Sequence, residues 1–367
     1  MSAPAAPDPA AIRSTVPPLP ALRFHRLFRA LPRYRWWKSL LAVVLAGVYW
    51  IVFQSIWSVV FLVVGVLTGT VSVTLDQARL IESVTRFLSI ETTDPLSIIA
   101  AIGGVATMLP AVWLAMLSVG LRPLSVLRSV RFRLRWRWML WCLLPALLIT
   151  VLSLAAGVFL LPAIGLSDPI GAPTVPVGTF VVSAIAFVVV TPVQAAAEEF
   201  GFRGLLQQTI GGWVKPAWIA ILVSTVLFAA SHTQYFGWAT LDVAVFGAVA
   251  AFLTWRTGGL EAGIALHAVN NTLAFLLQAT GALGTTQAVD TEHPAVGDPL
   301  SVLITVITMG LYVGIVELML RRRRLAVVLD PLPPVPAPTP APTAAPPPPD
   351  PTTLRPREYP GAPTTSG

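Results

Sequence analysis

Two adjacent carboxylates, Glu198 and Glu199, interrupt an apolar stretch of the chain, and Arg203 follows four residues after the second. Most residues from Phe180 through Ala197 are Val, Ala, Ile, Phe or Thr, which reads as a membrane-spanning helix. A charge at the centre of a bilayer costs about 2.5–3.5 kcal/mol on insertion scales, so residues placed there tend to have a use. Neighbours along a helix point about 100° apart, so the two glutamates cannot share a face. Glu199 and Arg203, four apart, can pair on one face. The spacing therefore predicts a Glu199–Arg203 ion pair. It leaves Glu198 as a carboxylate without a cation, free to face the interior as a candidate general base. A purely structural polar knot of all three charges stays open beside that reading.

Further polar groups stand in later apolar runs. His232 lies near the end of one, with Phe228 a turn before it on the same face, and His267 and Asn271 lie one turn apart on another. Each taken singly suits hydrogen-bonded packing between helices. Their combination carries the argument, because the chain has only 4 histidines and two of them fall in spans near the acid pair.

The elements that must bring these groups together are transmembrane helices. The chain is 55% hydrophobic and 11% charged, against roughly 25% charged in ordinary soluble domains. Several apolar runs reach the ~20 residues that cross a hydrocarbon core. The fold class expected is all-α, a polytopic membrane bundle of about eight transmembrane helices, near 39–70, 97–120, 138–162, 177–200, 215–235, 240–256, 260–282 and 299–320. Basic and non-basic connections alternate in phase. Arg122, Arg128, Arg131, Arg133, Arg135 and Arg137 crowd one loop, whereas the loop 283–298 holds Asp290, Glu292 and Asp298 with no Lys or Arg. By the positive-inside rule both termini are expected in the cytoplasm of a plasma-membrane protein.

The connections also set the depth at which the polar groups can meet. If Gly211-Gly212 break the fourth helix and Pro216 opens the fifth, Glu198 stands about 18 Å before the break and His232 about 24 Å after Pro216. Tilt or a kink at Pro192 could absorb that mismatch. His267, only about 10 Å from its helix end near Leu260, requires spans five to seven to be short or sunk.

The net charge of +7 follows helix ends rather than a basic face, so no nucleic-acid partner is expected. Residues 1–37 are expected as a disordered Pro/Ala segment leading into a basic amphipathic stretch on the membrane surface, where Arg23, Arg26, Arg29, Arg33 and Arg35 alternate with apolar residues. Residues 38–324 form the membrane domain, with the site within 177–282. Residues 325–367 are expected as a disordered cytoplasmic tail able to recruit a partner, since positions 331–367 hold 15 of the 34 prolines. The single cysteine, Cys142, excludes a disulfide framework and is expected to be a packing residue.

At these motifs the chain resembles the CAAX protease and bacteriocin-processing (CPBP) family of intramembrane glutamic endopeptidases, also called Abi. Its pattern of Glu-Glu-x-x-x-Arg, Phe-x-x-x-His and His-x-x-x-Asn/Asp is matched in order. The matching stretches are EEFGFRGLLQ from Glu198 to Gln207, FAASH from Phe228 to His232 and HAVNN from His267 to Asn271. The run Arg256-Thr257-Gly258-Gly259-Leu260 is also similar. The resemblance covers roughly residues 177–282. It implies a peptide hydrolase in which Glu198 activates water with His232 assisting, and His267 and Asn271 stabilise the oxyanion. Glu199, Arg203 and Phe228 would support the site, with no metal and no cofactor. The implied partner is a membrane-embedded or lipid-anchored peptide or protein substrate within the lipid bilayer.

Two other chemistries remain open at this point. Glu198, His232 and His267 could form a zinc site of the two-His, one-carboxylate type, although the compact His-Glu-x-x-His motif is missing. A proton- or ion-coupled transporter would also use intramembrane Glu and His. No Ser or Cys in the spans has a His and acid partner at a recognisable spacing, which disfavours a covalent nucleophile.

Overall fold

A computed structural model describes residues 21–286 and 295–330, and the compact unit it defines runs from Ala21 to Asp330. Its helices are α1 (Trp36–Leu67), α2 (Gln77–Leu88), α3 (Pro95–Ala106), α4 (Met108–Ser118), α5 (Trp136–Ala155), α6 (Val177–Glu198), α7 (Gln207–Trp213), α8 (Ala217–Ala230), α9 (Trp238–Thr257), α10 (Glu261–Ala279) and α11 (Pro299–Arg323). Short stretches extend or interrupt them. α5 continues through a π turn at Ala156–Leu160 and on to Ala163, and a π segment at Glu199–Leu206 joins α6 to α7.

A helical membrane bundle is what these elements build. Six helical stretches are long and apolar enough to cross a bilayer: Trp36–Leu67, Pro95–Ser118, Trp136–Ala163, Val177–Trp213, Trp238–Thr257 and Pro299–Arg323. All eight expected segments are helical, but the other two fall short of that criterion, so a count of eight spans does not follow. α8 has 14 residues, about 21 Å. α10 is long enough at 19 residues but carries Glu261, His267, Asn270 and Asn271. The outer helices turn Val, Ile and Leu outward, as Ile51, Ile56 and Val59 of α1 and Leu144 of α5 do. A lipid environment makes such exposure cheap, whereas water would not.

The polar helices are the inner ones. α6 packs between α3 and α10, and α10 packs against α5, α6 and α9, so the two carriers of the acid pair and of His267 lie side by side. Gly263 permits this approach, because a Cβ there would come within 2.9 Å of the Glu199 carboxylate. The α9–α10 turn at Gly258–Leu260 is itself buried. The segment after α4 covers it, with Val130 N–H donating to Gly258 and Leu260 N–H donating to Arg128.

Two expectations about the rim of the bundle are corrected. From Ala21 the basic lead is not an amphipathic helix on the membrane surface. It forms a two-residue strand β1 (Leu22–Arg23), paired antiparallel with β2 (Val328–Leu329), and then a 3-10 helix at Phe24–Ala30. Phe24, Leu27 and Phe28 are fully buried in a cluster that includes Leu127, Leu205 and Leu260. Phe24 and Phe28 are core residues, whereas Trp36 and Trp37 stay exposed. Gly211-Gly212 also fail to break the helix: α7 runs through them to Trp213. They are small because the Phe24–Ala30 helix lies directly on them, where His25 and Tyr34 would meet any added Cβ. Residues 1–20, 287–294 and 331–367, with the proline-rich tail, lie outside the described residues.

Candidate active site

Glu198 closes the regular part of α6, at the point where the helix widens into the π segment. π turns insert an extra residue into a helix and recur at functional sites. Glu198 is bound by Gln194, one turn earlier, whose Nε2 donates to Oε1 at 2.6 Å. Its other oxygen, Oε2, is buried and has no hydrogen-bond donor among the described residues. That free oxygen faces His267 Nε2 at 3.5 Å.

The expected Glu199–Arg203 pair is present. Arg203 Nη1 donates to Glu199 Oε1 at 3.0 Å with both side chains fully buried. Arg203 also donates from Nη2 to the Gly247 carbonyl at 3.0 Å and stacks over the Phe228 ring at 4.2 Å. A buried guanidinium needs all of these partners to offset its desolvation.

The two imidazoles are oriented by acceptors on one ring nitrogen. Glu199, paired with Arg203, can only accept, so the 3.0 Å contact from His267 assigns a proton to Nδ1 and leaves Nε2 toward Glu198. His232 lies just past the C-terminus of α8, where its Nδ1 donates to the Phe228 carbonyl at 2.8 Å. Its Nε2 is then the nitrogen available for proton transfer. Phe228 ties the two together, with ring centroids 4.6 Å from His232 and 5.9 Å from His267. Asn271, one turn beyond His267, donates from Nδ2 to Gln194 Oε1 at 3.4 Å.

Glu198, His232, His267 and Asn271 all line one cavity of ≈ 570 Å³. Three helical segments distant in sequence thus bring together every residue singled out for chemistry, while Glu199 and Arg203 lie behind them. The depth mismatch is largely removed by the correction at Gly211-Gly212. With the break at Val214 rather than Gly211, the run from Glu198 to Trp213 is about 22 Å, against about 24 Å from Pro216 to His232. Among the described residues, no group of three or more His, Cys, Asp and Glu side chains is arranged to hold a metal ion.

Three participants were missed in the sequence. Gln194 links Glu198 to Asn271, and its signal was available: a polar residue in an apolar span, four positions before the acid. Phe246, whose ring centroid is 5.1 Å from that of His267, has no sequence signal, since one Phe on α9 looks like any other. Glu261 opens α10 and is buried against Arg135, whose Nη2 donates to it at 2.6 Å. Arg135 also reaches the carbonyls of Thr257 and Ala326, so this pair clamps the end of the helix that carries His267.

The comparisons with known proteins fall on this same region. Residues 178–273 match the family model described as type II CAAX prenyl endopeptidase Rce1-like. The uncharacterized protein YyaK of Bacillus subtilis (strain 168) is 27% identical over 169 residues, which cover 44% of this chain and 55% of YyaK. The chain thus spans about half the length of that curated relative. No solved structure matches it. Residues 178–273, which hold both carboxylates, both imidazoles and Asn271, are thus the part of the chain that is similar to the Rce1-like CAAX endopeptidase family.

Proposed function

We propose that this protein is a multi-pass intramembrane endopeptidase of glutamic type, cutting a membrane-embedded or lipid-anchored peptide or protein. Glu198 accepts a proton from a water, whose oxygen attacks the scissile carbonyl carbon. His232 assists that transfer through Nε2. The tetrahedral oxyanion takes hydrogen bonds from Asn271 Nδ2–H and from Nε2–H of His267 in its imidazolium form, in which Nδ1–H still donates to Glu199. The proton taken by Glu198 then passes to the leaving amine as the C–N bond breaks. Glu199 and Arg203 hold His267, and Gln194 holds Glu198. No metal takes part in this reading, which has both termini in the cytoplasm at the plasma membrane, an orientation that the positive-inside pattern supports.

One observation carries the proposal: a carboxylate with an unpartnered buried oxygen shares a cavity with two oriented imidazoles and an amide. The test uses the purified full chain in lipid nanodiscs with a mixed library of membrane-inserting peptides. Cleavage by the native chain should persist under strong chelation and fall about 10²–10⁴-fold in Glu198→Gln, the range of general-base contributions. Loss of cleavage on chelation, restored by zinc, would replace this reading with the metalloprotease. Cation flux without cleavage would replace it with the transporter.

A further inference from the structure

The cavity has a second carboxylate that this chemistry does not use. Asp242 stands near the N-terminal end of α9 and lines the same cavity as Glu198 and His267. Its Oδ1 is buried with no hydrogen-bond partner among the described residues. Thr305 of α11 hydrogen-bonds to the side chain, and the charged group acting on it is another acid, Asp298. No Lys or Arg lines the cavity. Arg203, the nearest buried cation to the site, is taken up by Glu199, the Gly247 carbonyl and the Phe228 ring. An acid in a membrane helix, unbalanced by a resident cation, points to a functional partner that the chain does not itself supply.

We infer that Asp242 is a specificity residue that receives the cationic side chain, Lys or Arg, of the peptide being cut. This rests on the protease reading. The distances suit a bound peptide. Asp242 precedes Phe246 by one turn, about 6 Å along α9, and the Phe246 ring is 5.1 Å from that of His267. An extended peptide advances about 3.3–3.6 Å per residue. A basic residue a few positions from the scissile bond therefore reaches Asp242 while the bond lies at His267. A bare metal ion is a poorer occupant, since it calls for several oxygen or nitrogen ligands and Asp242 offers one carboxylate beside one threonine. An anionic peptide terminus is poorer still in a cavity with two carboxylates and no fixed cation.

Binding, rather than cleavage, gives the direct test. The full chain carrying Glu198→Gln is placed in nanodiscs with fluorescent apolar dodecapeptides, each bearing a single Lys at a scanned position. Norleucine counterparts serve as neutral controls. Lys should bind about tenfold tighter than norleucine at one position or two adjacent ones. Adding Asp242→Asn should remove the difference, and adding Asp242→Glu should keep it. A flat Lys-against-norleucine profile on the Glu198→Gln chain overturns the inference, and that comparison needs no Asp242 variant to fold. A preference that survives Asp242→Asn overturns it too. Exposing the same peptides to the native chain separates the two claims. A Lys preference without cleavage keeps the cation site and removes the protease, whereas cleavage with a flat profile does the reverse.

Discussion

Glu198 differs from Glu199 by a single position, and helix geometry gives the two acids opposite tasks. Glu199 is spent on Arg203 and His267, each at 3.0 Å, and Glu198 keeps one oxygen open. That division was legible from the i,i+4 spacing alone. The role of Gln194 became clear only when the structure showed both ends of its amide in use. Gln194→Leu should lower kcat roughly tenfold to hundredfold with KM little changed, since a hydrogen bond to a charged group contributes about 1.5–3 kcal/mol. A change confined to KM would assign Gln194 to substrate binding instead. Arg203→Met leaves Glu199 buried without its cation and should cost about 3–5 kcal/mol in unfolding experiments. Pairing it with Glu199→Gln should recover most of that loss, because the second change removes the orphaned charge.

Among the elements, the short ones proved the harder to read. α6, α9 and α11 declare themselves by length and apolarity. α10 was expected as an apolar run, although Glu261, His267 and Asn271 dilute its apolarity. The 3-10 helix at Phe24–Ala30 was misread, since Arg and Phe alternating beside a membrane span look alike whether the Phe side chains meet lipid or a protein core. Gly211-Gly212 were misread for a related reason: glycine marks close approach as readily as it marks a helix end. His25, on this 3-10 helix and buried against α7, donates from Nε2 to the Lys215 carbonyl at 3.1 Å. Burial holds its imidazole below the usual value, with Arg26 and Arg23 acting in the same direction. The folded form therefore prefers neutral His25, and an unfolded chain takes up the proton first. Stability from this contact is full above the unfolded value near 6.5 and declines as the pH falls through it. Amide-exchange protection in residues 21–35, taken relative to the intrinsic rate at each pH, should fall between about pH 7 and 5. His25→Gln should flatten that dependence, and an equal slope in both chains would remove His25 as its cause.

At the scale of the whole molecule, polar residues lie at the centre and apolar ones at the rim, which suits a solvent of lipid. The expected bundle and the helical positions of all eight segments were legible because each follows from hydropathy or helix period, whereas the meeting of the three motifs at one depth depended on helix ends that hydropathy leaves open. The cavity was not legible, because its walls draw on nine helices, α1–α3, α5, α6 and α8–α11, and no local pattern records how so many helices leave a gap. That gap is what turns a set of buried polar residues into a candidate enzyme.

The central claim is that Glu198 activates the water that cuts a peptide bond within the membrane. The measurement closest to it is a comparison of peptide termini in cell membranes bearing either the native chain or Glu198→Gln at equal abundance. A set of new termini found with the native chain, and lost with the variant while the uncut precursors accumulate, is the predicted result. The same termini at the same abundance in both membranes would contradict it.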